Sequence, residues 1–435
     1  MKLELAEFPV REVRFSKNTG HSNGILEIDK DELLALVRQD SKIISADLDV
    51  AFPSESTRIV NVRDIVEPRI KVSGSGCVFP GLLGPPETVG QGRTHRLIGF
   101  TVMASADYTP TVMGGTAAQN SAILDMWGPA AAISPFASTI NLVLVLKLID
   151  SISEWEAHTV IQTAELKIAN RLAETTRDKT PDKIEAFELG EVDSSLPKVI
   201  YIIGCVTILN EPHSLVAYYG LPIQESLPLY MHPNEFLDGA LTTDARRGNG
   251  GWTYTWDWQN QPMILKLLRE HGDRLNFLGV ILQRTRFLTE FGKQVSATAT
   301  SQLAKLLGTE AAIITRINLS GNNFVDTMFT LQACEKKGIK TVLMTPEWGG
   351  TGGTDLPLVY YVPEASAIVS SGSFEREIKL PPPTKVIGVE KGQMARLYVG
   401  DPPFDPWSEL TRDGWRDILG GIDWFGSMHL TCKEH

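Results

Sequence analysis

The sequence predicts an α/β protein: a β-rich N-terminal domain followed by a parallel-sheet, Rossmann-like α/β domain. Three observations carry this. About the first 150 residues hold short runs that alternate apolar and polar side chains, as half-buried strands do. From Pro197 onward, near-continuous apolar runs alternate with helical segments, the pattern of a parallel sheet covered on both faces. Between these regions, RDKTPDKIEAFELGEVDSSLP is polar and rich in turn residues, which suits a boundary. The expected organisation is residues 1–196, then 197–390, then a C-terminal tail of 391–435 that packs on the body or on a partner.

Taken in order, KLELAEF, VREVRF, GILEI and IISADLDV read as strands and KDELLALVRQ as one helix. The Gly- and Pro-crowded stretch from Ile65 to Thr116 reads as long ordered loops, because Phe79, Leu82, Leu83 and Ile98 need burial. Ser153-Glu154-Trp155-Glu156 is a capping box, and Ala157, Ile161, Ala164, Ile168 and Leu172 follow at helical spacing. The later strands are VIYIIGCVTIL, NFLGVILQ, AAIITRI, KTVLMT, SAIVSS and TKVIGV. Helices are expected over Pro262–His271, Gln302–Leu307 and Val325–Lys337, each closed by a glycine. Trp407, Trp415 and Trp424 mark the tail.

Composition narrows the function classes. A hydrophobic content of 43% over 435 residues supports at least two cores. A formal charge of −11 without a basic cluster argues against nucleic acid, which needs a concentrated positive surface. A small-molecule substrate or a protein partner fits better. The four cysteines, Cys77, Cys205, Cys334 and Cys432, are widely spaced and form neither a disulfide framework nor a zinc ribbon. Cys205 and Cys334 fall in apolar settings and read as small buried hydrophobes. The start MKLELAEFPV has no signal-peptide apolar region, and no run approaches the roughly 18 apolar residues of a membrane helix. A cytoplasmic protein with no membrane association is expected.

In an open α/β sheet, ligands bind beyond the carboxyl ends of the strands. The loops so selected carry Glu211 and His213, then Arg284 and Arg286, then Asn318 to Asn323 with Asp326, then Glu347, then Ser371 to Ser373. Glu211 and His213 lie two apart, which suits acid–base work or a metal, or else a hydrogen-bonded loop pair. Asp326 reads as a helix N-terminal acid or a ligand contact. Glu347 with Gly349, Gly350, Gly352 and Gly353 looks like an anion loop but lacks the phosphate-loop spacing. Arg93 and His95 share a Gly-broken loop, where Arg93 either grips a substrate carboxylate or makes an internal tie. Asp125 is an acid in an apolar setting. Trp252, Tyr254, Trp256 and Trp258 recur at period two and would share one face of an extended strand, as an apolar or cation–π wall or as packing. His95, His213, His232 and His271 show no metal-ligand spacing.

Several separated blocks together resemble one family, the proprotein subunit of component B of glycine, sarcosine and betaine reductases. They are Pro68 to Gly74, Phe79-Pro80-Gly81, Glu87 to His95, Asp125-Met126 with Pro135-Phe136, Asp238-Gly239-Ala240, His271-Gly272 through Asn276-Phe277, Gly321-Asn322 with Asp326, Lys337 to Lys340, and Glu347. The resemblance covers about residues 1–390. It implies a hetero-oligomer with a second component B-like subunit, selenocysteine-bearing or its cysteine homologue. It also implies reductive C–N cleavage of an N-substituted glycine through a pyruvoyl group made by self-cleavage at a cysteine after Asp-Gly-Ala.

That cysteine is missing here. Ungapped register to Pro262 puts Arg246 at its position and Gly250 at the position of the family's second cysteine. Arginine provides no nucleophile for the acyl shift, so a pyruvoyl group is expected to be absent. The expected function is an unprocessed component B-like subunit acting on a small nitrogen-containing substrate. Glu211, His213 and Arg246 are the catalytic candidates; Arg93, His95, Asn322, Asp326, Glu347 and Trp256 are the binding candidates. Two alternatives stand beside it: a non-catalytic scaffold subunit, and a metal-assisted hydrolase sharing Zn or Fe with its partner.

Overall fold

The alternating run at the N-terminus forms the strand Lys2–Pro9, with Leu3, Leu5, Ala6 and Phe8 buried. It is central in a four-stranded sheet ordered Lys183–Glu188, Lys2–Pro9, Gly92–Ile98, Arg69–Ser73. The computed structural model describes residues 1–108, 122–150, 152–206, 216–223, 228–243, 253–285, 288–317, 321–347, 358–373, 376–397, 402–412 and 414–427, with backbone alone at Trp155.

A second sheet is ordered Ala122–Asp125, Thr57–Val66, Phe100–Asp107, Ile140–Leu148, Ile43–Ala51. Of the long ordered loops expected between Ile65 and Thr116, residues 74–91 form one, with Phe79 buried in it, whereas Arg69–Ser73, Gly92–Ile98 and Phe100–Asp107 are strands. The glycines and prolines there punctuate short strands, and buried Arg63, Arg69, Lys71 and His95 break the apolar alternation that would have marked them. Ser153 caps the helix Glu154–Glu174, accepting from the Glu156 amide at 3.2 Å. Its expected apolar positions Ala157, Ile161, Ala164, Ile168 and Leu172 are all buried, in the same core as the strands Phe100–Asp107 and Ile140–Leu148.

The C-terminal half contains the expected parallel strands. Asn276–Thr285, Lys198–Val206, Ala311–Ile317, Lys340–Glu347 and Ile368–Ser373 lie in that spatial order, with Leu229–Met231 antiparallel on one edge. The central strand Lys198–Val206 is apolar on both faces because it is covered on both. Glu290–Leu306 and Gly321–Glu335 are the connecting helices, the first far longer than its last turn alone suggested. Burial pushes the Cys205 and Cys334 thiols up to about 12, as suits inert core residues.

Two expectations are corrected here. TKVIGV does not join the parallel sheet: Lys385–Ile387 pairs with Thr57–Val66, at the far side of the chain. The aromatic row is not a strand, since Thr255–Gln259 is a helix with Tyr254 at its N-cap. Trp252 lies outside the described residues. Helical geometry sends the aromatics apart: Tyr254 and Trp256 pack on Phe136 at 6.1 and 5.2 Å between ring centroids, while Trp258 packs on Phe236 and Phe425. The tail packs on the body, with Trp424 and Phe425 in the core of the parallel-sheet half and Trp407 and Trp415 against a cluster that includes Val60 and Ile123.

Candidate functional site

Between the strands Lys198–Val206 and Asn276–Thr285 the chain makes a long excursion, and Asp238 is its anchor. The short helix Pro233–Leu237 starts at Pro233 and is capped by His232, whose Nδ1 accepts from the Asn234 amide at 3.2 Å. Asp238 closes that helix fully buried. Its carboxylate accepts from Lys71 Nζ, from the Gly90 amide at 2.7 Å and from the Thr94 hydroxyl. Its carbonyl accepts from the Phe79 amide at 3.4 Å. Gly239 then takes φ of +77°, and a Cβ there would stand 2.8 Å from the Phe79 ring.

Arg69 supports the same corner. It donates to the Leu237 carbonyl, to Glu67 and to Asn260. Arg96 reaches Glu67 and Asn260 as well, each bond at 2.8 Å. Burial alone would raise the Glu67 carboxyl, but Arg96 and Arg69 outweigh it and hold it below the usual range. Burial also draws Arg69 down to about 10 against the pull of Glu67. Thus the sequence blocks Pro68 to Gly74, Phe79 to Gly81 and Glu87 to His95 converge on Asp238-Gly239-Ala240.

Beyond the triplet, Leu241–Thr243 forms a strand against Val216–Tyr218. Residues 244–252 lie outside the described ones, and the chain is described again from Thr253. The two ends of that interval are tied together. The Thr243 amide donates to Thr255 Oγ1 at 3.2 Å, and that hydroxyl donates to Asp64 Oδ2 at 2.6 Å. Gln162 donates to the Thr243 carbonyl at 2.8 Å. Burial pushes Asp64 up to about 7 against its hydrogen bonds. Asp257 is pushed up to about 7 by burial, with the charges of Asp423 and Asp64 adding to it. Glu165, fully buried, is raised well above the carboxylate range by burial and by Asp64. Asp64 and Asp257, at about 7, exchange protons near neutral pH, as acid–base chemistry requires.

The sites expected from sequence are scattered over the structure. Glu211, His213 and Arg246 lie outside the described residues. Arg93 is ion-paired with Glu4 at 2.6 Å, and buried His95 holds the Thr176 carbonyl at 3.0 Å and packs on Phe8. Asn322, Asp326 and Glu347 do gather at the carboxyl edge of the parallel sheet. Asp326 is not in the first turn of its helix, where an N-terminal acid would stand. Lys293 pairs with it at 2.6 Å and also donates to the Asn322 carbonyl. Trp256 stacks edge-on against Phe136. Asp125 receives both arms of the buried Arg58 guanidinium at 2.7 and 2.9 Å. The rings of His21, His95, His232 and His271 each hold a backbone group. Among the described residues no three His, Cys, Asp or Glu side chains converge as a metal-binding group. None of the described helices is long and apolar enough to cross a membrane.

Sequence reasoning missed Lys71, Asp64, Glu165 and Asp257. One signal was present: His158, Gln162 and Glu165 are spaced i, i+4 and i+7 on an otherwise amphipathic helix, so three polar side chains share one face.

Comparison with known proteins supports a subunit of a reductase complex. Residues 1–401 match the family of glycine/sarcosine/betaine reductase component B subunits, and the chain belongs to that family. The chain is 32% identical to the glycine reductase complex component B subunits alpha and beta of Acetoanaerobium sticklandii, over 100% of both chains. It is 32% identical to the namesake protein of Peptoclostridium acidaminophilum, over 89% of each. It is also 33% identical to the betaine reductase complex component B subunit alpha of that organism, over 89% of this chain and 88% of the other. No solved structure matches the chain.

Proposed function

We propose that this chain is an unprocessed subunit of a component B-like complex that cleaves a C–N bond in a small nitrogen-containing substrate without a pyruvoyl group. One observation carries the reading: the family's separated sequence blocks meet at Asp238, so the scaffold leading into the processing segment is kept. The residue in register with the processed cysteine is Arg246. The nearby hydroxyls do not fit as substitutes. Thr242 and Thr243 are strand residues paired with Ala217 and Val216, and the amide and carbonyl of Thr243 are engaged by Thr255 and Gln162. No step is therefore routed through a pyruvoyl carbonyl.

In this reading Arg246 supplies a fixed positive charge where the electrophile stood, and Glu211 and His213 handle protons. Arg93, His95, Asn322, Asp326, Glu347 and Trp256 remain the binding candidates. The strand order, with the helices Glu290–Leu306 and Gly321–Glu335 between parallel strands, supports a Rossmann-like unit within the proposed domain of 197–390, whose Lys385–Ile387 nevertheless pairs with the proposed domain of 1–196. The partner is a second component B-like subunit, and the unpaired buried cysteines suit the reducing cytoplasm.

Intact-mass spectrometry of the complex copurified from its host tests the reading. A single chain of 47.9 kDa without a hydroxylamine adduct is expected. Two fragments, or a trapped carbonyl, overturn it. Turnover is then assayed on glycine, sarcosine and betaine with Glu211→Gln, His213→Asn and Arg246→Met. Loss in at least one supports catalysis. The internal ties of Arg93 and His95 favour the scaffold alternative, and unchanged turnover in all three variants would establish it.

A further inference from the structure

The acids below Thr243 take no part in the Asp238 corner, and their surroundings are unusual. Asp64 and Glu165 are buried and Asp257 is partly so, yet among the described residues no ion pair reaches any of them. Their hydrogen bonds are unequally shared. Asp64 accepts from the Ile65 amide at 2.8 Å, the Thr255 amide at 2.9 Å and the Thr255 hydroxyl at 2.6 Å. Asp257 accepts from the Tyr254 amide at 2.7 Å. Glu165 Oε1 accepts from the Ala104 amide at 3.1 Å, while its Oε2 has no partner although the side chain is fully buried.

An unpaired carboxylate in such a core is strongly disfavoured, and two neighbouring ones more so. The least costly remedy is one proton, and the hydrogen bonds say where it goes. Asp64 has three donors to stabilise a negative charge. Glu165 has one donor and an oxygen left over, which a proton suits. We propose that Glu165 is a neutral, proton-holding positioning residue that acts through Asp64 and Thr255 to fix Thr243, where the chain enters residues 244–252.

While Glu165 keeps its proton, Asp64 stays an acceptor, Thr255 points its hydroxyl at Asp64, and the Thr243 amide is held. Ionising Glu165 places a second charge beside Asp64. Asp64 must then take up a proton or give up its donors, and Thr243 loses its tether. The proton moves between carboxyl oxygens or to water, and no other bond changes. Among the described residues, the charged groups acting on these acids are Asp64 from the strand Thr57–Val66, Asp257 from the helix Thr255–Gln259 and Asp423 beside Asp257, and His158 lies two turns before Glu165 on its helix. Glu165→Gln keeps the shape and the neutrality of the protonated acid. It therefore separates this role from that of a plain acceptor.

The test uses infrared difference spectroscopy and thermal unfolding of the full chain from pH 5 to pH 9. A protonated carboxyl stretch that persists at pH 8 and vanishes in Glu165→Gln is expected. The variant should also lose at least half of the alkaline fall in Tm shown by the wild type. Absence of the band at pH 8, or a variant destabilised equally at every pH, overturns the proposal. In the reconstituted complex, the alkaline limb of kcat should move in Glu165→Gln with KM unchanged; an unmoved limb also counts against it. Only this last arm rests on the C–N cleavage reading, so failure of turnover in the wild type leaves the spectroscopic result standing.

Discussion

Lys71 and Asp238, 167 positions apart, form an ion pair with both side chains buried. Charges removed from water in this way hold only while both are present, because a lone partner keeps its desolvation penalty. Lys71→Met and Asp238→Asn should each lower the unfolding free energy by about 3–5 kcal/mol. Replacing both with apolar residues should recover part of that loss. Urea denaturation of the two single variants and the double variant measures the coupling, and strict additivity would count against a direct pair.

Gly239 follows with φ of +77° and the Phe79 ring 2.8 Å from where a Cβ would be. Gly239→Ala therefore meets both backbone strain and a clash. Destabilisation of roughly 1–3 kcal/mol is expected. Phe79→Leu should relieve the steric part and leave the conformational part, which a double-mutant cycle resolves.

Asp64 gives the protein a pH dependence of defined sign. Its carboxyl rises from an ordinary value of 3.8 to about 7 on folding, because of burial. A group with a raised folded pKa stabilises fully below its unfolded value and loses that contribution as pH climbs through the folded one. Stability should thus fall between about pH 4 and pH 7, by up to roughly 1.4 kcal/mol per pH unit for each such group. Asp257, raised likewise, adds to the same window. Asp64→Asn should flatten the slope in urea titrations at pH 5, 6, 7 and 8.

Arg58 ties the tail to the body. Fully buried, it grips Asp125 bidentately and donates to the carbonyls of Pro381, Pro406 and Ser408 at 2.8, 3.0 and 2.9 Å. Arg58→Met leaves Asp125 buried and unpaired, at about 3–5 kcal/mol. Limited proteolysis should then cut within 381–408 before the rest of the chain, and N-terminal sequencing of the fragments locates the cut.

Parts of this architecture are legible in the sequence alone. Ser153 with Glu156, followed by Ala157, Ile161 and Ala164, fixes a helix because capping and period are local properties. The apolar runs of Lys198–Val206 and Ala311–Ile317 could be read as buried parallel strands for the same reason. Thr57–Val66 could not: Arg58, Asn61, Arg63 and Asp64 look like a solvated face until Asp125, Ala106 and Thr255 are brought against them. Period two misled at Tyr254, Trp256 and Trp258, because those rings answer to Phe136 and Phe236 and not to one another.

The sequence by itself determined the family and the alternation of buried strands with helices in the parallel-sheet half. These are carried by residue identity, register and local periodicity, which need no partner across space. Only the tertiary structure decided that Lys71, Phe79, Gly90 and Thr94 meet at Asp238, and that Asp64 and Glu165 share a core beneath Thr243. A carboxyl group takes its charge state from its neighbours and its distance from water, and neither is written along the chain.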